Sequence, residues 1–157
     1  MGEQLSGTER TRDNFVTAVN IKSDAATVWN TLTDPGIMRE WMGEPEMNIV
    51  INTDWKIHST ILISGFHHVQ FVSKGYVLHY EKEKKLVYTH LSSVSRLPDV
   101  PASYTVLEFI LKPSDNHIQL TISIDNFPTD TIRKHLEFFW RTAIVLIKKV
   151  AEKQSEI

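Results

Sequence analysis

Seven histidines and no cysteine set the chemical repertoire of this 157-residue chain. Without sulfur ligands or thiolates there are no disulfides, no cysteine nucleophile and no zinc site built on cysteine. The histidines lack metal-ligand spacing. His67 and His68 are adjacent and would point to opposite faces of an extended chain, and no pair stands as HxH or within HExxH. His58, His79 and His90 fall on separate strands, so no metal is expected, and the absence of a glycine-rich phosphate loop leaves no cofactor implied. Serine nucleophiles are equally unsupported, since neither GxSxG nor SxxK occurs. What remains is hydrogen bonding and proton transfer. Tyr80, Tyr88 and Tyr104 can donate to a ligand carbonyl, and His79 or His90 can move a proton if either faces a cavity.

A second set of residues supplies apolar surface. Trp29, Trp41, Trp55, Phe109, Phe139 and Trp140 are spread along the chain, and a few polar groups among large apolar side chains are what small-molecule cavities use. The candidate ligand-binding set is Trp41, Trp55, Ile57, Tyr80, Tyr88, His90, Tyr104, Phe109, Leu136, Phe139, Trp140 and Ala143. The same residues would also make an ordinary core. The two readings differ in whether space is left between sheet and helix.

The elements that must position these residues are legible from periodicity. "NFVTAVNIK" alternates Phe15, Thr17, Val19 and Ile21 against polar neighbours and predicts a half-buried strand. Ser23 is placed to cap a short helix carrying Ala26, Val28, Trp29 and Leu32, and Asp34 followed by Pro35 starts a second. From Pro45 to Phe127 the texture is β: "EMNIVI", "WKIHSTILI", "HVQFVS", "GYVLHYE", "KLVYTHL", "YTVLEFILK" and "HIQLTISI", with Gly65, Gly75, "EKEKK" and "KPSDN" as punctuation and "SSVSRLPDVPAS" as a longer loop.

A last helix is predicted from about Asp130 to Lys153, capped by Thr129 or Asp130. Its apolar residues, from Ile132 through Leu136, Phe139, Trp140, Ala143, Ile144, Leu146, Ile147 and Val150 to Ala151, fill a stripe roughly 160° wide, against ~100° for an ordinary surface helix. Phe138 and Val145, one heptad apart, fall off that stripe and call for another contact, with the short N-terminal helices or with a second subunit.

Composition narrows the function classes. Hydrophobic content of 41%, a formal charge of −2 and a pI near 6.4 describe one globular domain with no global attraction for nucleic acid. The apolar runs are far short of the ~20 residues that cross a bilayer, and the polar start has no signal-peptide core, so a cytoplasmic setting is expected. Met1-Gly2-x-x-x-Ser6 formally matches a myristoylation pattern, with Glu3 unfavourable for it. The expected organisation is a disordered tail over residues 1–13 and a single domain over 14–154.

The residues "VWNTLTDPGIMREWM", "GYVLHYEKEKKLVYTH" and the late "FW" followed by "AIVLIKK" resemble, in this order and spacing, the START-like (SRPBCC) superfamily. The group concerned is the one related to the C-terminal domain of the Hsp90 ATPase activator. The likeness runs from Phe15 to Glu152. It implies an α+β helix-grip fold, a curved antiparallel sheet wrapped around the long C-terminal helix, with two short helices after the first strand. It implies binding of a small hydrophobic molecule, lipid-like or aromatic, in a cavity between sheet and helix. The alternatives are a cyclase or hydratase acting on a hydrophobic substrate, and a chaperone-associated interaction module. Thr53 and Asp54 stand where the group usually has a glycine pair, His79 where an acidic residue is common, and Phe139 where a glycine often precedes the tryptophan. A phenyl ring there implies a preference for slim ligands.

Overall fold

The computed structural model describes residues 14–155; the tail expected over residues 1–13, with its lipidation pattern, lies outside them. Strand β1, Phe15–Ile21, buries Phe15 and Ile21 and turns at once into helix α1, Ala25–Thr33. The cap of α1 is Asp24 and not Ser23: its carboxylate accepts the Thr27 N–H at 2.7 Å, one turn ahead, which is the geometry a short acidic side chain satisfies best. Asp34 ends α1 and caps α2, Pro35–Met42, with Pro35 in the first turn as the sequence implies. Val28, Trp29 and Leu32 of α1 and Met38 and Trp41 of α2 are buried almost completely. At ~1.5–3 kcal/mol for each large apolar side chain, this face is what holds the two short helices in place.

The chain then builds β2 (Val50–Asn52), β3 (Thr60–His67), β4 (Val69–Glu81), β5 (Lys85–Ser92), β6 (Thr105–Ser114) and β7 (His117–Asp125). All pair antiparallel in one sheet of order β1-β7-β6-β5-β4-β3-β2, so only the first strand leaves its sequence neighbour to close beside the last. The β texture overpredicts strand before Thr60. "EMNIVI" yields a 3₁₀ turn at Pro45–Met47 and three residues of β2, and Trp55 to Ser59 is a loop. That loop is built on side-chain acceptors: Thr53 Oγ1 takes the Trp55 N–H, and Asp54 takes the Lys56 N–H and the Ser59 hydroxyl. Gly75 does not punctuate either. It lies inside the continuous β4, where an added Cβ would sit 1.7 Å from the Thr89 carbonyl oxygen, so the strand crossing requires glycine.

Register assigns the faces. Val77, Tyr88, Leu107 and Ile124 form one row, and Tyr80, Leu86, Phe109 and Ile122 the next, all on the concave face. A bulge between Val77 and His79 turns Leu78 and His79 to the convex face.

Helix α3, Asp130–Ser155, lies across the concave face, with Thr129 Oγ1 accepting the Ile132 N–H at its start. Leu136, Trp140, Ala143, Ile144, Ile147 and Ala151 are buried against the sheet, while Ile132, Phe139 and Val150 flank them half-buried. Glu152 fastens the far end by accepting the Lys22 N–H and the Lys148 ammonium. Phe138, 76% exposed, and Val145, 45% exposed, are left uncovered by the described residues of the chain. A curved antiparallel sheet gripping one long C-terminal helix, with two short helices after the first strand, is the helix-grip α+β fold.

Candidate functional site

The space between sheet and helix is occupied by a continuous run of rings. Trp41 of α2 lies 5.8 Å from Trp140, Trp140 5.6 Å from Phe109, and Phe109 5.5 Å from Tyr88. Trp55 is 5.8 Å from Tyr88 and 6.0 Å from Tyr80, whose ring meets Trp29 edge-on at 5.2 Å. Offset and edge-to-face pairs at these separations are attractive beyond their burial. Three indole N–H groups are consumed internally: Trp41 donates to Thr31 O, Trp55 to Thr33 O and Trp29 to the Tyr80 hydroxyl. Burial pushes the Tyr88 phenol far above its ordinary value, so it stays neutral.

Polar groups gather at one end of this interior. β7 feeds α3 beside the start of β6 and the end of β5, which brings His135 of α3 close to His90, whose position on β5 shares the concave face with Tyr88. Burial, and then the neighbouring His135, depress His90 to about 4, so its imidazole is neutral at pH 7. Thr105, registered opposite His90, donates its hydroxyl to the His90 carbonyl, and Ser73, also buried, faces Ser92. One flank of α3 reaches β1: Lys148 donates to Asn20 O, and Arg141 covers the Phe15 ring at 4.9 Å. The opposite flank carries half-buried Ile132 and Phe139 and, further out, exposed His135; Ile63 of β3 and Met47 of the 3₁₀ turn are also only partly covered.

The candidate residues thus divide. Trp41, Trp55, Tyr88, Phe109, Leu136, Trp140 and Ala143 meet in the interior, with Phe139 and His90 at its less covered end; Tyr80 joins the ring run but is 36% exposed at the surface. Ile57 is 46% exposed on the loop before β3. His79 is on the convex face, paired with Glu81. Tyr104 is on that face as well, where its ring lies 5.7 Å from Tyr76.

Tyr104 belongs to a groove that sequence reasoning missed. About 480 Å³ in volume, it is floored by Tyr76, Leu78, Thr89 and Val106 and walled by His58, Asp99 to Pro101, Tyr104 and Asn126. Lys74 and the Tyr104 hydroxyl both bond Asp99, at 2.7 and 2.5 Å. Lys74 first and Tyr104 second hold its carboxyl below the usual range, while burial and then Asp99 push the Tyr104 phenol up to about 12. Asp99 and the Tyr104 hydroxyl are thereby satisfied within the chain. Alternation alone assigns Tyr76, Thr89 and Val106 to the convex face, but nothing in their types announces that the loop after β5 folds back over them. Among the described residues, no group of three or more histidine, aspartate or glutamate side chains is placed to hold a metal, and no helix is long and apolar enough to cross a membrane.

Fold and interior together define a protein of the START-like class. The chain belongs to the family described as Activator of Hsp90 ATPase homolog 1-like protein, whose sequence profile matches residues 22–152. No curated protein matches the sequence. Among solved structures it is similar to a Cytophaga hutchinsonii protein determined in solution, 27% identical with a TM-score of 0.71 over 91% of this chain and 97% of that one. It is also similar to the Aha1 dimer of Colwellia psychrerythraea, 18% identical, TM-score 0.69, over 88% and 96% of the two chains. A protein of the dynemicin biosynthetic locus is 14% identical with a TM-score of 0.69, over 91% of this chain and 48% of that longer one.

Proposed function

We propose that this protein binds a small, slim hydrophobic molecule between the concave face of the sheet and the N-terminal half of α3. The observation that carries this reading is a set of polar groups on the concave face: half-buried His90 is registered to buried Thr105, and buried Ser73 to Ser92 two residues further along β5, at the end of the interior where Ile63, Ile132 and Phe139 remain half-covered. A few hydrogen-bonding groups set in an apolar wall orient a ligand without charging the site. The ring run from Trp41 through Trp140 and Phe109 to Tyr88 forms the closed end, and half-buried Phe139 borders the open one. Membership of the family supports the same reading, since its fold is compatible with ligand binding.

The choice of binding over cyclase or hydratase chemistry rests on where the proton-transfer candidates stand: Tyr104 is on the convex face bonded to Asp99, and the Tyr80 hydroxyl accepts the Trp29 indole N–H. His79 is turned outward. The test is native mass spectrometry of the purified chain, followed by solvent extraction. A stoichiometric apolar molecule that dissociates on Trp140→Ala supports the proposal. Recovery of the bare mass, together with no uptake from a panel of small aromatic compounds and fatty acids, contradicts it.

A further inference from the structure

The two edges of the sheet are not alike. One is β2, three residues long, and the other is β1, seven residues without a charge, a proline or a break in its register to β7. Short strands, charges, prolines and bulges are how folded chains keep an edge from pairing, and β1 has none of them. Which of its backbone groups are free follows from the β6–β7 turn. Asp115 and Asn116 alone connect Ser114 to His117, so these flanking residues form a hydrogen-bonded pair. Alternation from His117 then turns the N–H and C=O of Ile118, Leu120, Ile122 and Ile124 toward β1, where the register sets them opposite Ile21, Val19, Thr17 and Phe15. The backbone of Val16, Ala18 and Asn20 therefore faces outward. Lys148 takes the Asn20 carbonyl, but nothing among the described residues bonds Val16 or Ala18 from that side, and both side chains are exposed.

A row of unpaired N–H and C=O groups is complementary to another extended strand. The strand that fits is β1 of a second copy. Antiparallel pairing about a two-fold axis at Thr17 sets Val16 opposite Ala18 of the partner subunit, and Ala18 opposite Val16 of the partner subunit. The free N–H and C=O of both residues are then paired in each chain. Moving the axis to Ala18 would set Val16 opposite Asn20, whose carbonyl already accepts Lys148. No charged side chain stands on the strand to repel its copy, and Val16 and Ala18 are small enough to lie side by side across the seam. We infer that two copies of this chain associate through β1 in the Thr17-centred register, joining their sheets into one continuous antiparallel sheet. The seam takes no residue from the convex groove and is independent of what the interior binds.

Sedimentation equilibrium of the full chain from about 10 μM to about 1 mM tests this, since a single strand pair makes a small interface of modest affinity. The wild type is expected to be dimeric at the upper end. Ala18→Pro removes an outward N–H and no bond to β7, so it should weaken the dimer by about tenfold or more with an unchanged circular dichroism spectrum. Two further measurements read the register itself and do not depend on that variant. The chain has no cysteine of its own. Thr17→Cys places one at a non-hydrogen-bonded pair, with Cα atoms roughly 4.5 Å apart across the seam, and should give a disulfide-linked dimer on mild oxidation. Val50→Cys, on the opposite edge, should not. Val16→Lys with Ala18→Lys should be monomeric, and Val16→Lys with Ala18→Glu dimeric, because opposite charges then face each other across the seam. A monomeric wild type at about 1 mM, or a dimer that Ala18→Pro leaves as tight as before, overturns the inference. So does a disulfide that forms no faster from Thr17→Cys than from Val50→Cys, or equal association of the two charge variants.

Discussion

Tyr88 on β5 and Phe109 on β6 stack with ring centroids 5.5 Å apart and planes 23° from parallel, and Trp140 of α3 closes edge-on against Phe109 at 5.6 Å. One ring on the sheet therefore couples a cross-strand pair to the helix that the sheet grips. Phe109→Ala removes both contacts from a fully enclosed position, and a loss of ~3–5 kcal/mol in urea unfolding is expected. A loss under about 1 kcal/mol would mean that the interior collapses around the gap and is not the rigid end of a binding site.

Gly75 provides a test of the sheet itself. Gly75→Ala places a methyl group against the Thr89 carbonyl, a backbone atom that cannot move without parting β4 from β5. Destabilisation by about 3 kcal/mol or more, or failure to fold, is expected by thermal or chemical unfolding.

His90 sets a pH dependence. Its ordinary value is 6.5 and its folded value about 4, so between these pH values the unfolded chain binds a proton that the folded chain does not. Stability from this residue is therefore complete above pH 6.5 and falls as pH falls toward 4, by at most about 3 kcal/mol. His90→Gln should flatten the wild-type loss of melting temperature in that window. Parallel profiles for the two proteins would show that the imidazole is not held in the interior.

Phe138 is in water, 76% exposed on the side of α3 that faces away from the sheet. Phe138→Lys should change the unfolding free energy by less than about 0.5 kcal/mol. A larger loss, accompanied by a fall in mass by light scattering, would mean that a second copy covers the ring.

Much of this architecture was written in short-range pattern. Alternation in "HIQLTISI" and the broad stripe of the last helix are local signals, and both elements form where the periodicity puts them. Register across strands is not local. Nothing between Gly65 and Gly75 announces that β4 runs unbroken through Gly75, because that glycine is required by a carbonyl on another strand. Tyr104 illustrates the same limit at the site: a tyrosine beside β-branched neighbours reads equally well for either face, and only pairing places it with Tyr76 and Asp99 on the convex side. Ring composition announced an aromatic interior. It could not say how fully those rings would satisfy one another.

The site's size is tested by Phe139→Ala. The ring lies half-buried against Trp140, centroids 5.2 Å apart, so its removal opens space at the less covered end at the cost of ~2–4 kcal/mol of stability. Under conditions where both proteins are folded, the variant should bind bulky apolar dyes more tightly than the wild type in a fluorescence titration. Equal affinity would mean that Phe139 does not limit the site.

The central claim, a small apolar ligand seated beside His90, is tested most directly by following the histidine ring resonances by nuclear magnetic resonance while 1-naphthol is titrated into the wild-type chain. Saturable shifts are expected at His90, on the concave face of β5, and at the neighbouring, exposed His135 of α3, with His58 in the convex groove and His79 beside Glu81 unmoved. Shifts at His58 without any at His90 would place binding in the groove, and no shift at any histidine would leave the interior a closed core; either result contradicts the account.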